Sequence, residues 1–169
     1  MIRDLAAGRS RLPSTMDHPM TPNDRTTLDQ FLLAINSAEA GPSAADIATA
    51  PRLELWRPML SRYGMPILWG RASGHPRLGD DMITTSALIA LDAEAGWARS
   101  LSRWYQLGTA FGQVEKNLVR DLEKIDLAVG VIVFDLPGYT PLNDSELLAR
   151  LLATRIDSIR RLSRAARQD

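Results

Sequence analysis

Three short stretches decide the fold that this sequence predicts: MPILWGRAS at 65–73, MITTSALIALD at 82–92 and WARSLSRWYQLG at 97–108. Each shows the two-residue alternation of side chains and the β-branched or aromatic residues that are typical of strands. The turn-rich segments GHPRLGDD and AEAG separate them. Tight loops of this kind join neighbouring antiparallel strands. The sequence therefore predicts a small antiparallel β-meander over about 65–108.

Amphipathic helices are predicted on both sides of this meander. In the first, over 22–40, Thr21 is the N-cap and Pro22 the first helical residue. The long helix over 143–166 begins with the capping-box pair Asn143 and Glu146. A small sheet needs such helices packed on one face. We therefore predict an α+β fold.

The remaining segments are predicted with less detail. Residues 113–125 have helical periodicity, and the apolar run at 127–135 predicts a buried strand that would extend the sheet. Residues 42–51 predict a short helix or turn. The segment that follows begins as a helical pattern, which Pro58 limits to a short element. A flexible leader over 1–20 would precede one domain over 21–169, whose core motif region is 52–108.

Composition excludes several classes of function. The chain of 169 residues has no Cys, which rules out disulfides, thiol redox chemistry and thiolate metal sites. With only two His, a His-rich metal site is not expected. Neither a phosphate-binding loop nor a dinucleotide-binding glycine motif occurs in the sequence, and no cofactor is expected. The 20 basic and 20 acidic residues cancel, so no overall field attracts nucleic acid.

The sequence also bears on localisation. The N-terminus lacks an apolar run of signal-peptide length, and the longest apolar run is too short to cross a bilayer. These features predict a cytoplasmic protein with no membrane partner.

The third predicted strand supplies the candidate binding face. Simple alternation places Trp97, Arg99, Leu101, Arg103 and Tyr105 on one face, and Ala98, Ser100, Ser102 and Trp104 on the other. Rings that alternate with guanidinium groups can stack bases and neutralise phosphates. The other interpretation, which we favour, is that the Arg stems lie over the rings and stabilise the strand.

The Gly-His-Pro turn before the second strand contains His75 and Arg77, which would flank this face. A nucleophile such as Ser86, with His75 as base and Asp80 or Asp81 as its partner, is a conceivable hydrolase site. No Gly-x-Ser-x-Gly elbow accompanies it, which favours a structural turn.

The C-terminal helix carries an apolar stripe with arginines beside it. The stripe consists of Leu148, Leu152, Ile156, Ile159 and Leu162. It could seal the domain core or form the seam of a homodimer, and the sequence does not rank these two uses.

The middle of the chain resembles a family of short, functionally uncharacterised proteins encoded mainly by alphaproteobacteria. The matching positions are Gly74, His75, Pro76, Thr85, Ser86, Trp97, Arg99, Ser102, Arg103, Trp104, Tyr105, Leu107 and Gly108. The resemblance covers residues 52–108 and implies one structural unit there. It implies no activity.

The function that these features favour is a non-enzymatic binding or regulatory module. Its partner would be nucleic acid or an acidic protein. The candidate binding residues are His75, Arg77, Thr85, Ser86, Trp97, Arg99, Arg103, Trp104 and Tyr105. The alternatives are an assembly protein that dimerises through its C-terminal helix and the small hydrolase described above.

Overall fold

The computed structural model describes residues 21–123 and 136–168. The elements within them are α1 (Pro22–Ala40), α2 (Ala44–Thr49), β1 (Arg52–Ser61), β2 (Pro66–Ser73), β3 (Met82–Thr84), β4 (Leu88–Asp92), β5 (Trp97–Ser100), β6 (Trp104–Leu107), α3 (Phe111–Glu123), β7 (Tyr139–Pro141) and α4 (Ser145–Ala165). Helices flank an open sheet, which confirms the predicted α+β fold. The predicted leader at 1–20 and the predicted strand at 127–135 lie outside the described residues.

The sheet is mixed and larger than the predicted meander. Its strands run in the order β3-β2-β1-β6-β5-β4, and β7 pairs with β1. The central pair, β1 with β6, is parallel, whereas the other pairs are antiparallel. Two antiparallel units, β1–β3 and β4–β6, are thus joined side by side, where the sequence predicted one meander beginning near residue 65.

The difference arises because residues 82–92 form two strands at opposite edges of the sheet. Thr85 ends β3: its N–H donates to the carbonyl of Leu68 at 2.8 Å, and its hydroxyl oxygen accepts from the N–H of Leu68 at 3.0 Å. A flat sheet of six strands would hold its edges about 24 Å apart. The three-residue link to β4 spans at most about 14 Å. The sheet must therefore curl and bring its two edges together.

The prediction for the segment after residue 51 was wrong, since it forms the central strand β1. A bulge between Glu54 and Arg57 and a positive φ of 53° at Leu55 interrupt the ladder ahead of Pro58. β6 pairs with β1 only at its first two residues, and β7 pairs with it from Met59 onward. Pro58 pairs with Leu68 of β2 on one side, and on the other side it lies in the gap between the pairings with β6 and β7. A strand tolerates Pro where its missing N–H falls in such a gap.

Helix α4 seals the main core. Its Leu148 and Leu152 pack with Leu53, Ala98 and Tyr105 from the sheet. Further along α4, Ile159 joins a second cluster with helix α1 and Ile89 of β4. The apolar stripe of α4 is therefore used largely within the chain, except at Leu162, which is 55% exposed.

Helix caps agree with the sequence at α1 and differ by one residue at α4. Thr21 and Asp24 form a reciprocal capping box at the start of α1. At α4 the N-cap is Asp144 instead of Asn143, because the Asp144 carboxylate accepts from the N–H groups of Glu146 and Leu147 at 2.9 and 3.0 Å. Among the described residues, no helix has the length and apolar content to cross a membrane.

Candidate functional site: a cleft with two arginines

A cleft of about 320 Å³ lies where the β5–β6 hairpin, the chain around α2 and the Gly-His-Pro turn meet. Its lining is mainly polar. The lining residues are Ser37, Asp46, Thr49, Ala50, Pro51, Pro76, Arg99, Ser102, Arg103 and Trp104. The cleft therefore includes both arginines of the predicted binding face, and we name it the Arg99/Arg103 cleft.

A chain reversal brings Arg99 and Trp104 together beside the cleft. Residues 97–108 form a hairpin and not a single strand, because the N–H of Ser100 donates to the carbonyl of Arg103 at 2.9 Å and closes a tight turn. Arg99 then lies opposite Trp104, and Ala98 lies opposite Tyr105. Residues directly opposite each other share a face of the sheet.

The predicted alternation is consequently wrong beyond the turn. Trp104 shares a face with Trp97 and Arg99, whereas Tyr105 lies on the opposite face. Tyr105 is only 2% exposed and packs in the main core, and this burial raises the pKa of its hydroxyl. It therefore contributes to packing and not to the cleft.

The rings near the cleft are largely covered. The indole of Trp104 is 7% exposed, and its edge-to-face partner is Trp97, with ring centroids 5.3 Å apart. The Arg99 guanidinium carbon lies 5.4 Å from the centre of the Trp104 ring. An arginine–ring contact of the kind that we favoured from the sequence is thus present, but its ring is Trp104, which simple alternation had placed on the other face. It leaves no open face on Trp104 for a stacked base.

Both arginines of the cleft have unused hydrogen-bonding capacity. The Nε atoms of Arg99 and Arg103 are buried and have no hydrogen-bond partner among the described residues. Desolvation lowers the pKa of the Arg99 guanidinium, and the carboxylate of Asp46 opposes that shift. A guanidinium nevertheless stays protonated in proteins, so the cleft has partly buried positive charge and an unpaired Nε donor on each arginine.

Three serine hydroxyls hold the turn between the two arginines. The Ser86 hydroxyl donates to Ser100 Oγ at 3.1 Å, and Ser100 donates to the carbonyl of Arg103 at 3.2 Å. Each hydroxyl has one proton, so Ser102 is the donor in its 3.0 Å contact with Ser86. The N–H of Ser102 also donates to Ser86 Oγ at 3.2 Å. Ser86 does not line the cleft, but its bonds hold the turn that carries Ser102 and Arg103.

His75 belongs to the turn beside the cleft and is used structurally. Its Nδ1 accepts from the N–H groups of Arg77 and Leu78, at 3.2 and 3.0 Å. Burial, with the nearby charges of Arg103 and Arg77, lowers the pKa of the imidazole. The neutral ring therefore carries its proton on Nε2.

The hydrolase alternative finds no support in these bonds. A catalytic triad needs Nδ1–H donated to a carboxylate and a free Nε2 to accept the nucleophile's proton. In His75 the two nitrogens have the reverse roles. The carboxylates of Asp80 and Asp81 accept from the N–H groups of Gly74 and Met82. No cluster of His, Asp and Glu side chains suited to a metal ion occurs within residues 21–123 and 136–168.

One wall of the cleft was missed from the sequence. Helix α2 contributes Asp46 and Thr49, and Gln106 of β6 holds the helix there by donating to the carbonyl of Ile47 at 2.7 Å. Asp46 also forms a capping box with Ser43, a pattern that sequence reasoning could have used to place the start of α2. Nothing in the sequence indicates that α2 meets residues more than 50 positions later.

Comparison with known proteins identifies a family and no function. A family model described as "Family of unknown function (DUF6634)" matches residues 18–168. The match extends well beyond residues 52–108, on which the resemblance in the sequence rested, and includes the helices on both sides. No curated protein and no solved structure matches the chain significantly.

Proposed function

We propose that this chain, which belongs to DUF6634, a family of unknown function, is a non-enzymatic binding protein for an acidic protein partner. Arg99 and Arg103 would hold an anionic group of that partner in their cleft. The observation that carries the proposal is the pair of buried Nε atoms without a hydrogen-bond partner among the described residues. A buried donor left unpaired costs free energy, which an anionic ligand would recover.

Nucleic acid is the second candidate, and the aromatic residues weigh against it. Binding of single strands depends on open rings for base stacking. Trp104 is covered by Arg99 and Trp97, and Tyr105 is in the core. The overall charge of zero also disfavours a long phosphate track. An acidic side chain of a protein partner, in contrast, could be bound by the Arg99/Arg103 cleft alone.

Tryptophan fluorescence tests the proposal, because Trp104 lies against Arg99. We would titrate the full chain with a short glutamate-rich peptide and, separately, with a single-stranded oligonucleotide, each at low and high salt. The expected result is a peptide-dependent change that weakens with salt. Arg99→Met and Arg103→Met keep apolar stems, and each should weaken peptide binding by at least about tenfold.

Arg150→Met is the matched control, because Arg150 is exposed on α4 and does not line the cleft. It should bind as the wild type does. Peptide binding that is absent, or equal in all three variants, would contradict the proposal. Tighter binding of the oligonucleotide, with the same loss in Arg99→Met and Arg103→Met, would reassign the cleft to nucleic acid.

A further inference from the structure

The hydrogen-bond donors of the Arg99/Arg103 cleft fit one class of anion best. We infer that the cleft selects a phosphate monoester over a carboxylate or a phosphodiester. The phosphate would be carried by a small molecule or by a phosphorylated side chain of the partner. This inference rests on the proposed function, since it specifies the anionic group that the cleft holds.

The first argument is the direction of the donors. Arg99 projects from β5, Arg103 from the far side of the turn, and Ser102 from its tip, so donors reach the cleft from three backbone positions. A carboxylate has two oxygens in one plane, which a single guanidinium fork already satisfies. A phosphate monoester has three terminal oxygens in a tetrahedral arrangement, and it can accept from two forks and a hydroxyl together.

The second argument is charge. The lining contains Arg99, Arg103 and the carboxylate of Asp46, which together give a net charge of about +1. Arg77 follows the lining residue Pro76 in the chain and adds a further positive charge in the adjoining turn, while His75 is neutral. A carboxylate or a phosphodiester carries one negative charge, whereas a phosphate monoester carries close to two at neutral pH. The monoester can therefore use both the charge of the lining and that of Arg77 in the adjoining turn.

The third argument is the hydroxyl of Ser102. It is the first donor of the serine chain, and its proton can rotate from Ser86 towards an anion in the cleft. The turn does not open when it does so, because the N–H of Ser102 still donates to Ser86 Oγ. Ser100 likewise keeps its bond to the carbonyl of Arg103. The cleft can therefore add a third donor without changing its shape.

The size of the cleft leaves room for the group that carries the phosphate. At about 320 Å³ it is at the lower end of the range for small-molecule sites, and a phosphate group alone would not fill it. A free phosphate ester and a phosphorylated side chain present the same chemistry to the arginines, so the experiment has to separate these two sources.

The test compares the binding of three probes to the full chain: methyl phosphate, dimethyl phosphate and acetate. Binding is measured by calorimetry and by Trp fluorescence. At pH about 7.5 we expect methyl phosphate to bind at least about tenfold more tightly than either monoanion. Its advantage should fade as the pH falls through about 6, where the phosphate takes up its second proton. Burial holds the pKa of His75 below its usual 6.5, so His75 is neutral at pH about 7.5, and the Ser43 bonds hold the pKa of Asp46 below 3.8, so Asp46 stays ionised across this range.

Arg99→Met, Arg103→Met and Ser102→Ala should each reduce the preference for methyl phosphate, while Arg150→Met should keep it. Because Arg99 contacts Trp104, the thermal unfolding of each variant is measured first, and Ser102→Ala serves if Arg99→Met does not fold. A phosphoserine peptide and free O-phosphoserine then separate the two sources: tighter binding of the peptide indicates a partner protein.

Two outcomes overturn the inference and are distinguishable. Equal binding of methyl phosphate and acetate, both lost in Arg99→Met, would leave the proposed function standing and remove the phosphate preference. If no probe and no acidic peptide bound the wild-type chain, the proposed function would fail as well.

Discussion

At the scale of single residues, the candidate site consists of polar groups that backbone donors and acceptors hold in place. His75 is the clearest case, because its Nδ1 closes the turn before β3 by accepting two N–H groups. Arg99 and Arg103 are the contrast, since their Nε atoms have no such partner among the described residues. The first arrangement stabilises the fold, and the second leaves donors for a ligand.

His75 makes stability depend on pH. The imidazole is neutral in the folded chain and its pKa is lowered from 6.5, so between 6.5 and the lowered value the unfolded chain binds more protons. The contribution of His75 to the free energy of unfolding therefore has its full value above pH 6.5, and it decreases as the pH drops through that window. Urea denaturation at a series of pH values should show this loss in the wild type.

His75→Asn is the comparison, because an amide oxygen can accept the same N–H groups without titrating. The variant should lose less stability than the wild type over that pH window. Parallel pH curves for the two proteins would show that His75 is not held neutral. Carboxylates with lowered pKa values, such as Glu54, lose their contribution only at more acidic pH, so they affect both proteins alike.

At the scale of elements, two short units make the cleft: the β5–β6 hairpin and helix α2. The hairpin carries both arginines and is held by the serine chain to the link between β3 and β4. Helix α2 has only six residues, and a helix of that length is not stable alone. Its capping box and the bond from Gln106 hold it against β6.

Removal of the Gln106 amide should therefore loosen α2. Gln106→Met keeps the length of the side chain but leaves the carbonyl of Ile47 without this donor. We expect a loss of about 1–3 kcal/mol in the free energy of unfolding. Hydrogen exchange should become faster over 44–51. Gln113→Met is the control, because the Gln113 side chain is exposed and bonds only to Asn117 among the described contacts, and its cost should stay within about 0.5 kcal/mol. Unchanged exchange in Gln106→Met would show that other contacts hold α2.

At the scale of the whole molecule, a curled sheet is closed on one side by a long helix. The short link between β3 and β4 brings the sheet edges together, and α4 packs its apolar stripe against the core so formed. An ion pair between Arg160 and Glu39, at 2.6 Å, joins α4 to α1 but is exposed. Such surface pairs contribute little, so burial of α4 is what holds the molecule together.

Two leucines on α4 separate the roles that the sequence left open. Leu152 is buried in the main core, and Leu152→Ala should lower the free energy of unfolding by about 2–5 kcal/mol. Leu162 is exposed, and Leu162→Ala should change it by less than about 0.5 kcal/mol. Homodimerisation through α4 stays a prediction, and light scattering would then show a mass that rises with protein concentration. If the destabilisation caused by Leu162→Ala also rises with protein concentration, Leu162 lies in the dimer interface.

Local patterns in the sequence were sufficient for the helices and for the outer bounds of the predicted strands in the region 65–108, but they missed the breaks that divide 82–92 and 97–108 into two strands each. Thr21, Pro22 and Gly41 mark α1 because caps and breakers act within a few residues. The turn at 93–96 was likewise predictable, since Gly96 takes up a positive φ of 76°. β1 was missed because a strand tolerates Pro58 only where its missing N–H falls in a gap between neighbouring strands, and local sequence does not show where such a gap lies.

The sequence by itself determined the α+β class, the cap of helix α1 and the identity of the polar residues that could bind an anion. Only the tertiary structure decided which of them meet. Strand alternation assigned Tyr105 to the binding face and Trp104 to the other, and one tight turn at Ser100–Arg103 reversed the two. The physical reason is that a face is defined by pairing with a partner strand. Pairing, like the contact between α2 and β6, depends on residues that are distant in the chain.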